Sequence, residues 1–250
     1  PAPLRGPVGA MARAVETLAA RRLSALVAAT PHIGAAFAQQ ARRLAVVRNY
    51  PILEELGAAP AGPPLVRDHV CYVGAITATR GIRQAVRALE QVPVRLLLAG
   101  QFETPALRLE MQNAPGWRQV DDCGVVDRAG VARVMARSFC GLVTLLPEPN
   151  YLNALPIKLF EYMAAGLPVV ASDFPLWRAI VDEAQCGLCV DPARPAEIAA
   201  AIAYLHRHPA QARQMGANGR RAVQERYRWE GEAVKLAALY GAALGATTTG

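Results

Sequence analysis

Apolar positions fall in two rhythms along the chain. Spacings of three and four residues predict helices near 10–22, 81–91, 104–112, 128–137, 157–165, 176–182, 195–207, 209–225 and 229–243. Short apolar runs bounded by turn residues predict strands near 24–29, 44–47, 70–74, 94–99, 117–120, 140–145, 168–172 and 187–190. Thr30-Pro31 marks another helix start, with Thr as cap and Pro in the first turn, and that helix is expected to run to about Arg42. From His69 onward strands and single helices alternate, so the strands must pair in parallel. The predicted class is α/β, a doubly wound parallel sheet preceded by a partial α/β segment. Gly57 to Pro64, rich in Ala, Gly and Pro, reads as a linker.

The most informative stretch is Pro156 to Asp173. Phe160, Met163, Ala164 and Leu167 form one apolar helix face, Gly166 is placed to end the helix, Pro168 prevents its resumption, and Val169 to Ala171 suits a buried strand. Lys158 and Glu161 are the charged residues on this otherwise apolar helix. The loop before it is expected to face the ligand crevice of an open sheet.

Length and charge narrow the function classes. At 250 residues the chain can bury a substantial core. No apolar run is long enough to span a bilayer, and Pro1-Ala2-Pro3 opens no signal-peptide pattern, so a cytoplasmic protein is expected. No initiator Met is present, as in a fragment of a longer protein. The net charge is +7, carried almost wholly by Arg, with Lys158 and Lys235 the only lysines. The arginines are scattered along helices without a dense block, and no nucleic-acid motif accompanies them. Five irregularly spaced cysteines argue against a disulfide framework, and Cys186-Gly187-Leu188-Cys189, with no second pair, reads as strand-edge packing. No His, Asp and Cys cluster has metal-ligand spacing.

The run Lys-Leu-Phe-Glu-Tyr-Met (158–163), followed by Ala-Gly-Leu-Pro-Val-Val-Ala-Ser-Asp (165–173), resembles the nucleotide-sugar site of the family 4 retaining glycosyltransferases, which have the two-domain GT-B fold. The resemblance covers roughly residues 70 to 245. It implies that 1–56 end an N-terminal domain, 57–68 link, 69–228 bind a nucleotide sugar, 229–244 form a helix crossing back, and 245–250 are a disordered tail. It further implies a nucleotide-sugar donor of UDP or GDP type as substrate, with no other cofactor and no metal. The implied acceptor is a glycan or a lipid-linked precursor of cell-surface polysaccharide, with peripheral contact at the inner membrane.

Individual residues follow from the resemblance and from their own chemistry. Glu161 matches the second acid of a paired-glutamate motif and is the candidate for the ribose, since a carboxylate accepts two hydroxyl hydrogen bonds; the alternative is a surface acid paired with Lys158. The first acid of that motif would stand eight positions earlier, where this chain has Asn153, either a sugar contact or a helix cap, with Glu148 as a substitute acid upstream. Asn153, Ala154 and Leu155 are expected to offer backbone amides to sugar and phosphate. Gly74 opens the loop after the first strand of the sheet; a basic residue common in the family is Ala75 here, which leaves Arg80 as the leading phosphate ligand and Lys158 as a second cation. Arg80 otherwise reads as a surface residue at a helix start, where the dipole disfavours it. Val125 and Val126 occupy the place where family members hold the base through main-chain atoms. The rival readings are a GT-B epimerase or phosphorylase, or a non-catalytic binding fragment.

Overall fold

A computed structural model describes residues 6–56 and 66–245. Most of the expected linker and the tail beyond Gly245 lie outside the described residues. The chain opens with α1 (Gly6–Arg22), β1 (Leu26–Ala28), α2 (Pro31–Phe37), β2 (Leu44–Val46) and a 3-10 turn at Leu53–Leu56. β1 and β2 pair in parallel, Leu26 opposite Leu44. Thr30 caps α2 by accepting from the Ile33 amide at 3.2 Å. The helix expected to reach Arg42 stops at Phe37, where the Gln40 and Ala41 amides both turn back to the Phe37 carbonyl and reverse the chain into β2.

The larger unit contains β3 (His69–Val73), a 3-10 turn at Ala78–Arg80, α3 (Ile82–Leu89), β4 (Arg95–Ala99), α4 (Pro105–Gln112), β5 (Val120–Gly124), α5 (Arg128–Ala136) and β6 (Ser138–Val143). There follow α6 (Pro149–Leu152), α7 (Ile157–Ala164), β7 (Val169–Ser172), α8 (Pro175–Ala184), β8 (Gly187–Val190), α9 (Pro195–Arg207), α10 (Pro209–Arg226) and α11 (Trp229–Leu244). The sheet order is β5-β4-β3-β6-β7-β8, with every neighbouring pair parallel. The chain starts at the centre, winds outward to β5, and returns to β6. The strand order therefore reverses between β3 and β6, and the carboxyl ends of these two strands frame the crevice where open α/β sheets bind ligands.

The strand expected at 117–120 begins at Val120 instead. Pro115–Gln119 form a 3-10 turn pressed onto α3, so closely that a Cβ on Gly116 would lie 2.0 Å from the Val86 carbonyl oxygen.

Alternation along the strands fills two cores. Val70, Tyr72, Leu96, Leu98 and Leu142 face α3 and α9. Cys71, Val73, Leu97, Val143 and Ala171 face the other layer, where Leu159, Phe160, Tyr162 and Met163 of α7 are buried. Gly141 lets α7 lie close on β6: a Cβ there would meet the Tyr162 ring at 2.4 Å. The Tyr162 hydroxyl in turn accepts from the Val73 amide at 2.8 Å, tying α7 to the end of β3.

The leading segment docks on the same helix. The Tyr50 ring stands 4.9 Å from Phe160 and 5.5 Å from Tyr227. Nearby, the Arg48 amide donates to Glu232 of α11 at 2.9 Å, and the Trp229 amide donates to the Pro51 carbonyl at 3.2 Å. The start of α11 is thereby held beside β2 and the chain that follows it.

Candidate nucleotide-sugar crevice

The turn after β3 is built to bring Arg80 to the mouth of the crevice. Gly74 has φ 114°, a left-handed conformation that favours glycine. Thr77 then caps the turn by accepting from the Arg80 amide at 3.1 Å. Gly81 has φ 78°, and a Cβ there would fall 1.9 Å from the Thr144 carbonyl oxygen, so only glycine seats this turn against the end of β6. The Leu146 amide donates to the Thr79 carbonyl at 2.9 Å, and the Thr79 and Tyr151 hydroxyls stand 3.3 Å apart. The loops after β3 and β6 thus form one rim.

Lys158 enters the same space from α7. It is 6% exposed, its Nζ lies 3.8 Å from the centroid of the Tyr72 ring, and it makes no hydrogen bond among the described residues. Burial, reinforced by the Arg80 charge, lowers its pKa to about 7, against the opposing pull of Cys71 and Glu161. The Thr144 hydroxyl at the end of β6 is likewise buried without a hydrogen bond among the described residues. Arg80 and Lys158 thus bring two cations together beside a hydroxyl that forms no hydrogen bond among the described residues.

Glu161, one turn along α7, is 8% exposed and is not a surface acid. Its Oε1 accepts from Nη1 of Arg128 at 2.9 Å, so the pairing with Lys158 considered from the sequence is not formed. Arg128 opens α5, directly after the loop carrying Val125 and Val126. Val125 is 75% exposed, whereas Val126 packs against the core. Beside Val125, at the carboxyl ends of β4 and β5, a cavity of about 420 Å³ is lined by Gly100, Gln101, Glu103, Thr104 and Asp122 among others.

The expectation for three free amides at 153–155 is corrected. Pro149 starts the short helix α6, whose Tyr151 carbonyl takes the amides of both Asn153 and Ala154. Of the three, the Leu155 amide alone has no partner among the described residues. The Ala154 carbonyl is held by the Trp177 indole at 2.7 Å, which fixes the loop leading into α7. Asn153 is exposed at the carboxyl end of α6 and does not cap the start of α7, whose cap position is Pro156. Glu148 stands exposed at the amino end of α6.

Sequence reasoning missed Arg128, Thr144 and Tyr72. Arg128 carried a signal, since a cation at a helix start works against the helix dipole, the same argument that singled out Arg80. Thr144 and the Tyr72 ring become part of the site only through the sheet.

Cys186 and Cys189 belong to packing. Burial pushes their thiols up to about 12 and about 11, away from the thiolate that redox or metal chemistry uses. No helix among the described residues is long and apolar enough to cross a membrane.

The fold defines a doubly wound α/β module with Arg80 and Lys158 beside its switch point. Residues 61–222 match the family model of the group 1 glycosyl transferases, and the chain belongs to that family. Among curated relatives, it is 30% identical over 199 residues to a phosphatidyl-myo-inositol mannosyltransferase of Mycobacterium leprae, covering 75% of this chain and 50% of that one. It is 26% identical over 158 residues to D-rhamnosyltransferase WbpZ of Pseudomonas aeruginosa, covering 63% and 40%. The chain spans about half the length of the curated relatives it matches. Sucrose-phosphate synthase of Thermosynechococcus elongatus overlays 97% of this chain, and this chain 63% of it, with TM-score 0.73 and 21% identity. Anabaena Alr3699/HepE in complex with UDP overlays 92%, with 66% of its own length covered, TM-score 0.72 and 19% identity. These solved structures have the GT-B fold, and the present chain overlays about two thirds of it.

Proposed function

We propose that this chain is the donor-binding half of a retaining glycosyltransferase, holding a nucleotide sugar whose glycosyl group passes to a glycan or lipid-linked acceptor. The observation that carries this reading is Lys158, a buried amine without a hydrogen-bond partner among the described residues, set in the same crevice as Arg80. A diphosphate supplies the acceptor oxygens and negative charge that this pair lacks. As the glycosidic bond breaks, charge grows on the leaving diphosphate. Arg80 and Lys158 stabilise that charge where little water screens it, which is commonly the largest contribution to such catalysis. The protein's own cations neutralise the diphosphate in this scheme, and no metal is called for.

Glu161 accepts from the ribose hydroxyls, the Leu155 amide donates to phosphate or sugar, and main-chain atoms of Val125 and Val126 hold the base. Gly74, whose φ of 114° favours glycine, opens the turn that carries Arg80. Asn153, exposed on the rim, is available to a sugar hydroxyl. HepE's complex with UDP and the mannosyl- and rhamnosyltransferase relatives support a nucleotide-sugar donor. The relative named for phosphatidyl-myo-inositol supports a lipid-linked acceptor, and with it a cytoplasmic protein touching the inner membrane peripherally.

The test is a thermal-shift panel of UDP, GDP and their sugars. A ligand at a hundredfold its dissociation constant stabilises by about 2.7 kcal/mol, a readily measured shift. Stabilisation by one nucleoside diphosphate, without acceptor turnover by this chain alone, is the expected result. No stabilisation by any of them contradicts the reading.

A further inference from the structure

The bond between Arg128 and Glu161 joins two parts of the crevice that the chain keeps 33 residues apart. The start of α5 is an unfavourable place for the Arg128 charge, because the macrodipole opposes a cation there, and Asp127 caps the helix through the Gly130 amide at 2.7 Å. The pair is also lopsided. The Glu161 side chain is 11% exposed and the Arg128 side chain 54%. An arginine reaches in from the base-side loop to hold an acid buried in α7, while Lys158, three residues before that acid, makes no hydrogen bond to it. A carboxylate has about four acceptor positions, and the bond to Arg128 Nη1 uses one of them.

We infer that Arg128 is a positioning residue for the nucleotide's ribose: it fixes the Glu161 carboxylate in the orientation that accepts the ribose hydroxyls and couples that acid to the Val125–Val126 loop. Arg128 acts through Glu161 and does not itself touch the ribose. This rests on the ribose role given to Glu161 above. Base and ribose are then recognised as a unit, because displacing the loop displaces the arginine that aims the acid.

The experiment measures, by calorimetry, the affinity ratio between each nucleoside diphosphate (UDP and GDP) and its 2′,3′-dideoxy form. This ratio is internal to each protein, so a partly unfolded variant does not distort it. The parent is expected to prefer the ribose form by about tenfold or more. Arg128→Ala should lower that ratio to about threefold or less, Arg128→Lys should recover part of it, and Arg128→Ala/Glu161→Ala should match Glu161→Ala alone. A parent that binds both forms equally contradicts the ribose role of Glu161 and the inference with it. A parent that discriminates while Arg128→Ala discriminates just as well contradicts the role of Arg128 alone. Additive losses in the double variant also overturn it, because they show Arg128 working independently of Glu161.

Discussion

The Lys158 amine nitrogen, carried by α7, stands 3.8 Å from the centroid of the ring of Tyr72 on β3. An aromatic face attracts a cation, but it does not replace the hydrogen bonds that the amine loses on burial. This geometry makes the site sensitive to pH. The folded-state pKa, about 7, lies below the ordinary value of 10.5, so between these limits the unfolded chain binds more protons than the folded one. The cost of burying the cation is fully present below pH 7 and is relieved as pH rises toward 10.5.

Two outcomes follow for Lys158→Met. In chemical denaturation the gap in stability between the variant and the parent should narrow from pH 6.5 to pH 9, because the parent gains stability as its amine sheds the proton. In the parent, diphosphate affinity should fall above pH 7, with proton uptake visible as a buffer-dependent heat; the variant should bind weakly and lack that dependence. Parallel pH profiles for the two proteins would show that Lys158 does not titrate in this range.

Glu161→Ala should weaken nucleoside diphosphate binding by about 1.5–3 kcal/mol, the cost of losing hydrogen bonds to a charged group. The fold should survive, since the arginine left behind is half exposed and can be solvated. Unchanged affinity in a calorimetric titration would remove Glu161 from the site.

Gly141→Ala probes how α7 is seated. The new methyl would meet the Tyr162 ring at 2.4 Å, so the helix must shift or the ring must leave its bond to Val73. Overpacking of this kind costs about 1–3 kcal/mol, and each kcal/mol lowers the melting temperature of a chain this size by about 2–4 °C. Loss of donor affinity should accompany the lower melting temperature, because Lys158 and Glu161 ride on the same helix. A melting temperature equal to the parent's would mean that the close seating of α7 is not required.

Where signals are local, the sequence and the fold coincide. α9 begins at Pro195 and β8 spans Gly187–Val190 as periodicity and turn residues predicted. The apolar face of α7 and its stop at Gly166 were equally legible. Most of the misses around the crevice are tertiary. Nothing near Lys158 in sequence reveals the Tyr72 ring beneath it or the absence of a partner. The bond from Arg128 to Glu161 spans 33 residues and exists only once β5 and α7 are in place. The short helix α6 escaped notice although Pro149 marks its start, and its Tyr151 carbonyl occupies two of the three amides expected to serve the ligand.

The central claim, that the crevice between β3 and β6 grips a nucleotide through its diphosphate, is tested most directly by titrating Arg80→Ala and the parent with nucleoside, monophosphate and diphosphate at low and high salt. Arg80 is half-buried at the carboxyl end of β3, so its contact should be charge-assisted and partly screened. The predicted result is a loss that grows from nucleoside to diphosphate and shrinks as salt rises. Equal losses for all three ligands, or none, would contradict the account.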